Sequence, residues 1–190
     1  HPGAPILLDV KSSEAALQLV ESAGAAAQIW KTGHSHMKKR MKELEAPLAG
    51  EMSGHIFIAD NYLGFDDAIY AAVRVITQMV KGGQSITEFM DSLPEQHATP
   101  ELRIDCPDTV KFDSMEKIRA HVLSGHDAAD VNSIDGVRVR SGDGWWLIRA
   151  SNTEAALVAR AEAADRTALD RLLGDIETTL AAAGLDWKRP

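Results

Sequence analysis

A single cysteine, Cys106, stands in 190 residues, which excludes an internal disulfide framework and fits a reducing, cytoplasmic compartment. Positive charge is in deficit: 20 Lys and Arg face 28 Asp and Glu, a net charge of −8. A general nucleic-acid binder needs a basic face to displace counterions, so no nucleic-acid partner is expected, although a local patch can still hold a small anion. No apolar run reaches the roughly 18–20 residues that span a bilayer, and no signal peptide is visible, so no membrane partner is expected. His1, His36, His97, His121 and His126 show no metal-ligand spacing with partners. No Asp-x-Asp run occurs, and Asp143 is a lone acid between glycines, so no metal site is expected in this chain. There is no internal repeat and no low-complexity tract. The chain opens His1-Pro2-Gly3 without methionine, which suggests a processed or trimmed piece of something longer.

What is present is ordinary for a folded protein: 45% hydrophobic and 25% charged residues, and length enough for one large domain or two small ones. The first half alternates strand and helix signals. Apolar runs at residues 6–10, 28–30, 48–50 and 55–59 predict strands. Ser13 caps a helix that Gly24 stops, and a basic helix with Met37, Met41 and Leu44 on its apolar face follows Gly33-His34. The spacing of Ile69, Ala72, Val73, Ile76 and Val80 predicts an amphipathic helix over residues 66–81, ended by Gly82-Gly83. Residues 84–100 hold a short helix from Ser85 and then Leu93-Pro94, which reads as a domain linker. Further strands are expected at 101–106, 130–134, 137–141, 145–149 and 156–162, with an extended piece up to Phe112. Helices are expected from Ser114 to about Leu123 and over 166–183. Asp135-Gly136 and Gly142-Asp143-Gly144 are turn signals at hairpin spacing. The expected fold class is α/β: a mixed α/β sheet domain over residues 1–95, followed by a smaller α+β domain over 96–190 with an antiparallel sheet and two helices.

Two short runs carry the chemistry. Gly50-Glu51-Met52-Ser53-Gly54-His55 places a carboxylate, a hydroxyl and an imidazole on a glycine-flanked turn. A carboxylate accepts two hydroxyl hydrogen bonds, so Glu51 suits a vicinal diol, and Ser53 donates or accepts. Gly54 permits positive φ. His55 can pair with phosphate or move a proton. The same run also fits a tight turn in which Glu51 caps backbone amides. Arg149-Ala150-Ser151-Asn152-Thr153-Glu154 falls where a strand ends in a turn. Successive N–H groups there can form an anion nest. Ser151, Asn152 and Thr153 add neutral donors, and Arg149 adds a fork matched to phosphate. A polar turn capped by its own hydroxyls is the bland alternative. Lys11 and His34, like Glu51, fall just after strands, where α/β sheets bind ligands. His34 also begins a helix, whose dipole favours an anion. Trp145-Trp146 puts one indole inward and one outward, and Lys38-Lys39-Arg40 reads as a wetted helix face. Together the two runs suggest a phosphosugar held at both ends.

Several runs in register resemble the α-D-phosphohexomutase superfamily, and within it the bacterial phosphomannomutase/phosphoglucomutase group. They are Asp9-Val10-Lys11-Ser12-Ser13, Trp30-Lys31-Thr32-Gly33-His34-Ser35, residues 50–55, Gly64-Phe65-Asp66-Asp67-Ala68-Ile69-Tyr70 and residues 149–154, so the resemblance covers essentially the whole chain. Met52 favours that group, since the related phosphoglucosamine mutases usually carry glutamine there. Ala155 departs from the proline common in the family. The resemblance implies proteins of four domains. Domain 1 carries a phosphoserine that gives and takes the phosphoryl group, and domain 2 an Asp-rich loop that holds Mg²⁺. Domain 3 carries a sugar loop, and domain 4 a phosphate loop. This chain resembles the third and fourth only, with domains 1 and 2 missing and the Mg²⁺ ligands outside it.

By the same resemblance, Glu51 and Ser53 bind sugar hydroxyls, and Arg149, Ser151, Asn152 and Thr153 bind the phosphate of mannose or glucose 1- or 6-phosphate. Lys11, His34 and His55 contribute to the cleft. The implied parent enzyme is an intramolecular phosphotransferase, an isomerase that interconverts hexose 1-phosphate and hexose 6-phosphate through phosphoserine and a bisphosphate intermediate. The chain alone is expected to be inactive. Two alternatives stand beside this: a stand-alone phosphosugar-binding module without catalysis, and a folding or interaction unit with no ligand of its own.

Overall fold

Short buried strands joined by capped helices build the first half of the chain. In the computed structural model, which describes residues 1–189, β1 (Pro5–Asp9) pairs in parallel with β2 (Ala26–Trp30) and β3 (Leu48–Gly50). β4 (Ile56–Ile58) returns antiparallel to β3, and the mixed sheet has the order β2-β1-β3-β4. Parallel neighbours need crossover connections. α1 (Glu14–Ser22), capped by the Ser13 side chain, joins β1 to β2, and α2 (His34–Leu44) joins β2 to β3. Met37 and Met41 of α2 pack with Leu7, Ala49 and Phe57 in the core of this unit, which spans His1–Pro94.

α3 (Ala68–Gly82) starts two residues later than its periodicity predicts, because Asp67 is its N-cap. The Asp67 carboxylate accepts the Tyr70 N–H at 2.9 Å and the Tyr62 hydroxyl at 2.7 Å, and these bonds hold its pKa below the usual carboxylate value. The apolar stripe is there but it is not covered: Ile69 and Val80 are 81% and 78% exposed, and α3 has no buried residue. On its other side a cavity of about 660 Å³ opens against Ile6, Ile58, Val75, Met79 and, from α4 (Ile86–Asp91), Phe89. A helix apolar on two sides is built to lie between two layers. Ile76→Ser, on the bare side, is therefore expected to change the unfolding free energy of this chain by less than about 0.5 kcal/mol in a urea melt.

The second unit starts at Glu95. β5 (His97–Ala98) and β6 (Leu102–Asp105) lie end to end along one edge of β10 (Ala156–Ala163). β9 (Gly144–Ala150), β8 (Val137–Ser141) and β7 (Val131–Asn132) follow on its other edge, all antiparallel. His97 and Ala98 thus belong to a sheet, although the surrounding residues read as a linker. α5 (Asp108–Gly125) and α6 (Arg166–Ala182) pack on one face. α5 corrects the extended reading of residues 107–112: Pro107 takes the N-cap position and Asp108 opens the helix. Alternation along β9 sends Trp146 and Ile148 into the core with Leu157, Leu172 and Ile176, and Trp145, Leu147 and Arg149 to the other face. Trp145 is nonetheless buried. The Arg138 guanidinium lies 3.8 Å from its ring centroid, and its Nε1–H donates to Glu162 at 3.1 Å. Cys106 is buried and unpaired, and no helix among the described residues is long and apolar enough to cross a membrane.

Candidate functional site

The loops after β1, β2 and β3 meet on one carboxylate. Asp9, at the end of β1, is fully buried and accepts from the Ser12 hydroxyl at 2.7 Å, the Thr32 hydroxyl at 3.2 Å and the Met52 N–H at 3.1 Å. Lys11 is buried beside it, with Nζ 3.9 Å from Asp9 Oδ2. Glu51 is buried as well. Its Oε1 accepts the Gly33 N–H at 2.8 Å and its Oε2 the Ser53 hydroxyl at 3.3 Å. Gly33 is the N-cap of α2, so the Glu51 carboxylate occupies the helix start at which the sequence places an anion near His34. His34 itself is exposed. The turn closes through Glu51 N–H to His55 O and Gly54 N–H to Glu51 O, both 2.9 Å, with Gly54 at φ 91.

Capping does not use up Glu51. A carboxylate has about four lone-pair directions, and the two bonds above take two of them. Ser53 is exposed next to it. His55 Nδ1 lies 3.1 Å from Asp66 Oδ2. With Nδ1–H donating to that carboxylate, Nε2 of the neutral ring is the acceptor. The first unit thus gathers Lys11, Glu51 and Ser53 at the strand ends and orients His55 through Asp66.

In the second unit Arg149 and Ser151 lie two residues apart at the end of β9, on one face. Arg149 is 4% exposed. Its Nε–H donates to Asp135 Oδ2 at 3.1 Å, while Nη2 is buried without a hydrogen-bond partner. Leaving a buried charged donor unmade is costly, so this atom marks a place for an acceptor. Ser151 Oγ accepts the Glu154 N–H at 3.1 Å and, more loosely, the Thr153 N–H at 3.4 Å. Both lone pairs being engaged, the hydroxyl proton is directed to donate elsewhere. The hydroxyl-capped turn and the donor-bearing loop are therefore one structure. Asn152, Thr153 and Ala155 are exposed. From beneath, Lys111 of α5 donates to the carbonyls of Ser151 at 3.0 Å and Glu154 at 2.8 Å.

Sequence reasoning assigns no role to Asp9, Asp66, Asp135 or Lys111. The available signals are an acid closing an apolar strand run for Asp9 and an acid before a turn glycine for Asp135. Among the described residues no three His, Cys, Asp or Glu side chains gather in a way that could hold a metal ion.

Both halves of the chain are similar to known proteins. Residues 1–97 match the family described as phosphoglucomutase/phosphomannomutase, alpha/beta/alpha domain III, and residues 101–179 match its C-terminal domain. The phosphomannomutase/phosphoglucomutase of Pseudomonas putida is 43% identical over 180 residues, which is 95% of this chain and 38% of that protein. A phosphoglucomutase/phosphomannomutase family protein from Burkholderia thailandensis, known from X-ray crystallography, superposes with a TM-score of 0.86 at 37% identity, covering 97% of this chain and 39% of that one. N-acetylphosphoglucosamine mutase of Aspergillus fumigatus, solved with GlcNAc-6P and magnesium, gives a TM-score of 0.64 over 95% of this chain and 39% of its own; at 14% identity it shares the fold alone. The chain spans about two-fifths of the length of these relatives. By these matches it belongs to the phosphoglucomutase/phosphomannomutase family, its first half as domain III and its second as the C-terminal domain.

Proposed function

We propose that this chain is the ligand-reading part of a phosphohexose mutase that interconverts hexose 1-phosphate and hexose 6-phosphate. Glu51 and Ser53 bind ring hydroxyls of a mannose or glucose phosphate. Arg149, Ser151, Asn152 and Thr153 bind its phosphate, and Lys11, His34 and His55 contribute to the cleft. The observation that carries the reading is the Arg149 guanidinium, buried and fixed through Nε to Asp135 with Nη2 lacking a partner, at the foot of a turn rich in hydroxyl and amide donors. A phosphate oxygen supplies the missing acceptor, and a guanidinium pinned at Nε presents its Nη edge to it. Glu51 is likewise held in advance by Gly33 and Ser53, so a diol need not order it.

The group transfer belongs to parts of the parent enzyme outside this chain. A phosphoserine in domain 1 donates its phosphoryl group to the free hydroxyl of the hexose monophosphate. The resulting bisphosphate reorients, and the phosphate it carried at the outset passes back to the serine. Glu51, Ser53 and the 149–154 loop read the ligand in both orientations. The family resemblance implies a Mg²⁺ held by an Asp-rich loop of domain 2, where it would neutralise charge on the phosphoryl group. The chain alone binds hexose phosphate without turning it over, and the parent works in the cytoplasm.

The bare stripe on α3 supports a missing neighbour. In the parent, domains 1 and 2 cover it, and there Ile76→Ser costs about 1.5–3 kcal/mol, against almost nothing in the chain alone.

The test is an NMR titration of the ¹⁵N-labelled chain with glucose 6-phosphate. Amide shifts are expected at residues 51–55 and 151–154, and Glu51→Gln is expected to bind about tenfold more weakly. An unmoved Ser151–Thr153 segment overturns the phosphate assignment. A Glu51→Gln chain that melts early yet binds normally reduces Glu51 to a helix cap.

A further inference from the structure

Lys111 sits in the second turn of α5, where a lysine normally points to water, yet it is 5% exposed. A buried ammonium is tolerated only when its donors are satisfied. Here the ammonium donates to the carbonyls of Ser151 at 3.0 Å and Glu154 at 2.8 Å, and it forms an ion pair with Asp108 Oδ1 at 2.6 Å. Both hydrogen-bond acceptors therefore belong to the backbone of the 151–154 turn. A trans peptide points each C=O and the next N–H in opposite directions. Drawing the Ser151 and Glu154 carbonyls toward Nζ thus aims the N–H groups of Asn152 and Ala155 away from it, to the other side of the turn.

We propose that Lys111 is a positioning residue of the phosphate loop: its buried ammonium turns two loop carbonyls inward, so that the following amides face the ligand, and it adds a fixed positive charge beneath the bound phosphate. The proposal rests on the reading of residues 149–154 as a phosphate site. Each cation of that site carries a carboxylate, Asp135 on Arg149 and Asp108 on Lys111. This pairing tempers the attraction, which suits a ligand whose two phosphates must take turns in one loop. Asp108 is the adjustable partner, because its side chain is 70% exposed while that of Asp135 is 17% exposed.

Lys111→Met keeps most of the length and the helix propensity of the side chain and deletes its charge and donors. In the ¹⁵N-labelled 190-residue chain without ligand, the amide resonances of Asn152 and Ala155 are expected to move while those of β10 stay. The dissociation constant for glucose 6-phosphate, followed at Thr153, is expected to rise about tenfold. Asp108→Asn removes only the exposed counter-charge, and is expected to tighten binding about threefold, an effect that fades with added salt. A purely structural lysine predicts neither the ligand-free amide shifts without a change in β10 nor the gain in Asp108→Asn. The proposal is overturned if Lys111→Met leaves Asn152 and Ala155 unmoved, or binds within about twofold of the parent. Should Lys111→Met fail to fold, Asp108→Asn decides alone, and unchanged affinity in it overturns the electrostatic role. If the unsubstituted chain shows no shifts at Ser151–Thr153, it is the phosphate reading that has failed, and the ligand-free amides still report on the positioning.

Discussion

Asp9→Ala is expected to lower the stability of the first unit by about 3–5 kcal/mol, the range for removing one member of a buried charged network. Three donors lose an acceptor at once, the Ser12 and Thr32 hydroxyls and the Met52 N–H, and the buried Lys11 ammonium loses the opposite charge 3.9 Å away. A buried donor left without a partner costs about 1–3 kcal/mol, more when charged. These groups come from loops after three different strands, so the loss is not confined to one turn. Asp9→Asn falls between. Its carbonyl oxygen still accepts from the Met52 N–H, and its NH₂ can donate to a Thr32 hydroxyl that reverses its role. Hydrogen exchange at Leu7, Ala49 and Phe57 reads the first unit, with Leu147 and Leu157 in the second as an internal reference. A loss in Asp9→Ala below about 1 kcal/mol would mean that water takes the place of the carboxylate and that the three loops hold without it.

The elements the sequence places best are those bounded by local chemistry. β3 and β8 run over the residues expected, because Pro47 and Glu51 bracket one and Gly136 and Gly142 bracket the other. α5 is the counterexample. Its apolar spacing is carried by Met115, Ile118 and Val122, whereas Val110 and Phe112 in its first turns are exposed, so periodicity gives no sign of the start. An extended reading up to Phe112 leaves Lys111 no helix from which to reach the loop. α3 shows a different limit. Periodicity reveals that a helix has an apolar face but not whether anything lies against it, and here the face is bare.

The site divides in the same way. Glu51, Ser53, Arg149 and Ser151 are legible because side-chain chemistry on a turn can be read residue by residue. What fixes them is not. Glu51 is held by Gly33, 18 residues away, and Arg149 by Asp135, 14 residues away. Asp9 joins Thr32 and Met52 across 23 and 43 residues. Such partners follow from strand order, which no local pattern specifies.

Gly136→Ala joins one of these long-range partners to its backbone requirement. Gly136 has φ 80, and a Cβ there would lie 2.3 Å from the Ile148 carbonyl oxygen and 2.6 Å from Arg149 Cα and Cβ. Those atoms cannot give way. Ile148 is paired with Val137 of β8, and Arg149 with Val158 of β10, in the middle of the sheet. The β7–β8 turn must move instead. A non-glycine residue in the left-handed region costs about 1–2 kcal/mol and overpacking about 1–3 kcal/mol, so a loss of about 2–5 kcal/mol in the second unit is expected. The functional consequence is separate from that loss. Asp135 precedes Gly136, and displacing the turn pulls its carboxylate off Arg149 Nε, freeing a guanidinium that was fixed at one end. Glucose 6-phosphate should then lose its effect on the Ser151–Thr153 amides even at temperatures where the unit remains folded. Gly142→Ala, in the next turn of the same strand with no heavy atom within 4 Å of its Cβ position, is the matched control and is expected to be near neutral. If Gly136→Ala melts and binds like that control, the turn slides freely past β9 and Asp135 is not what holds Arg149 in place.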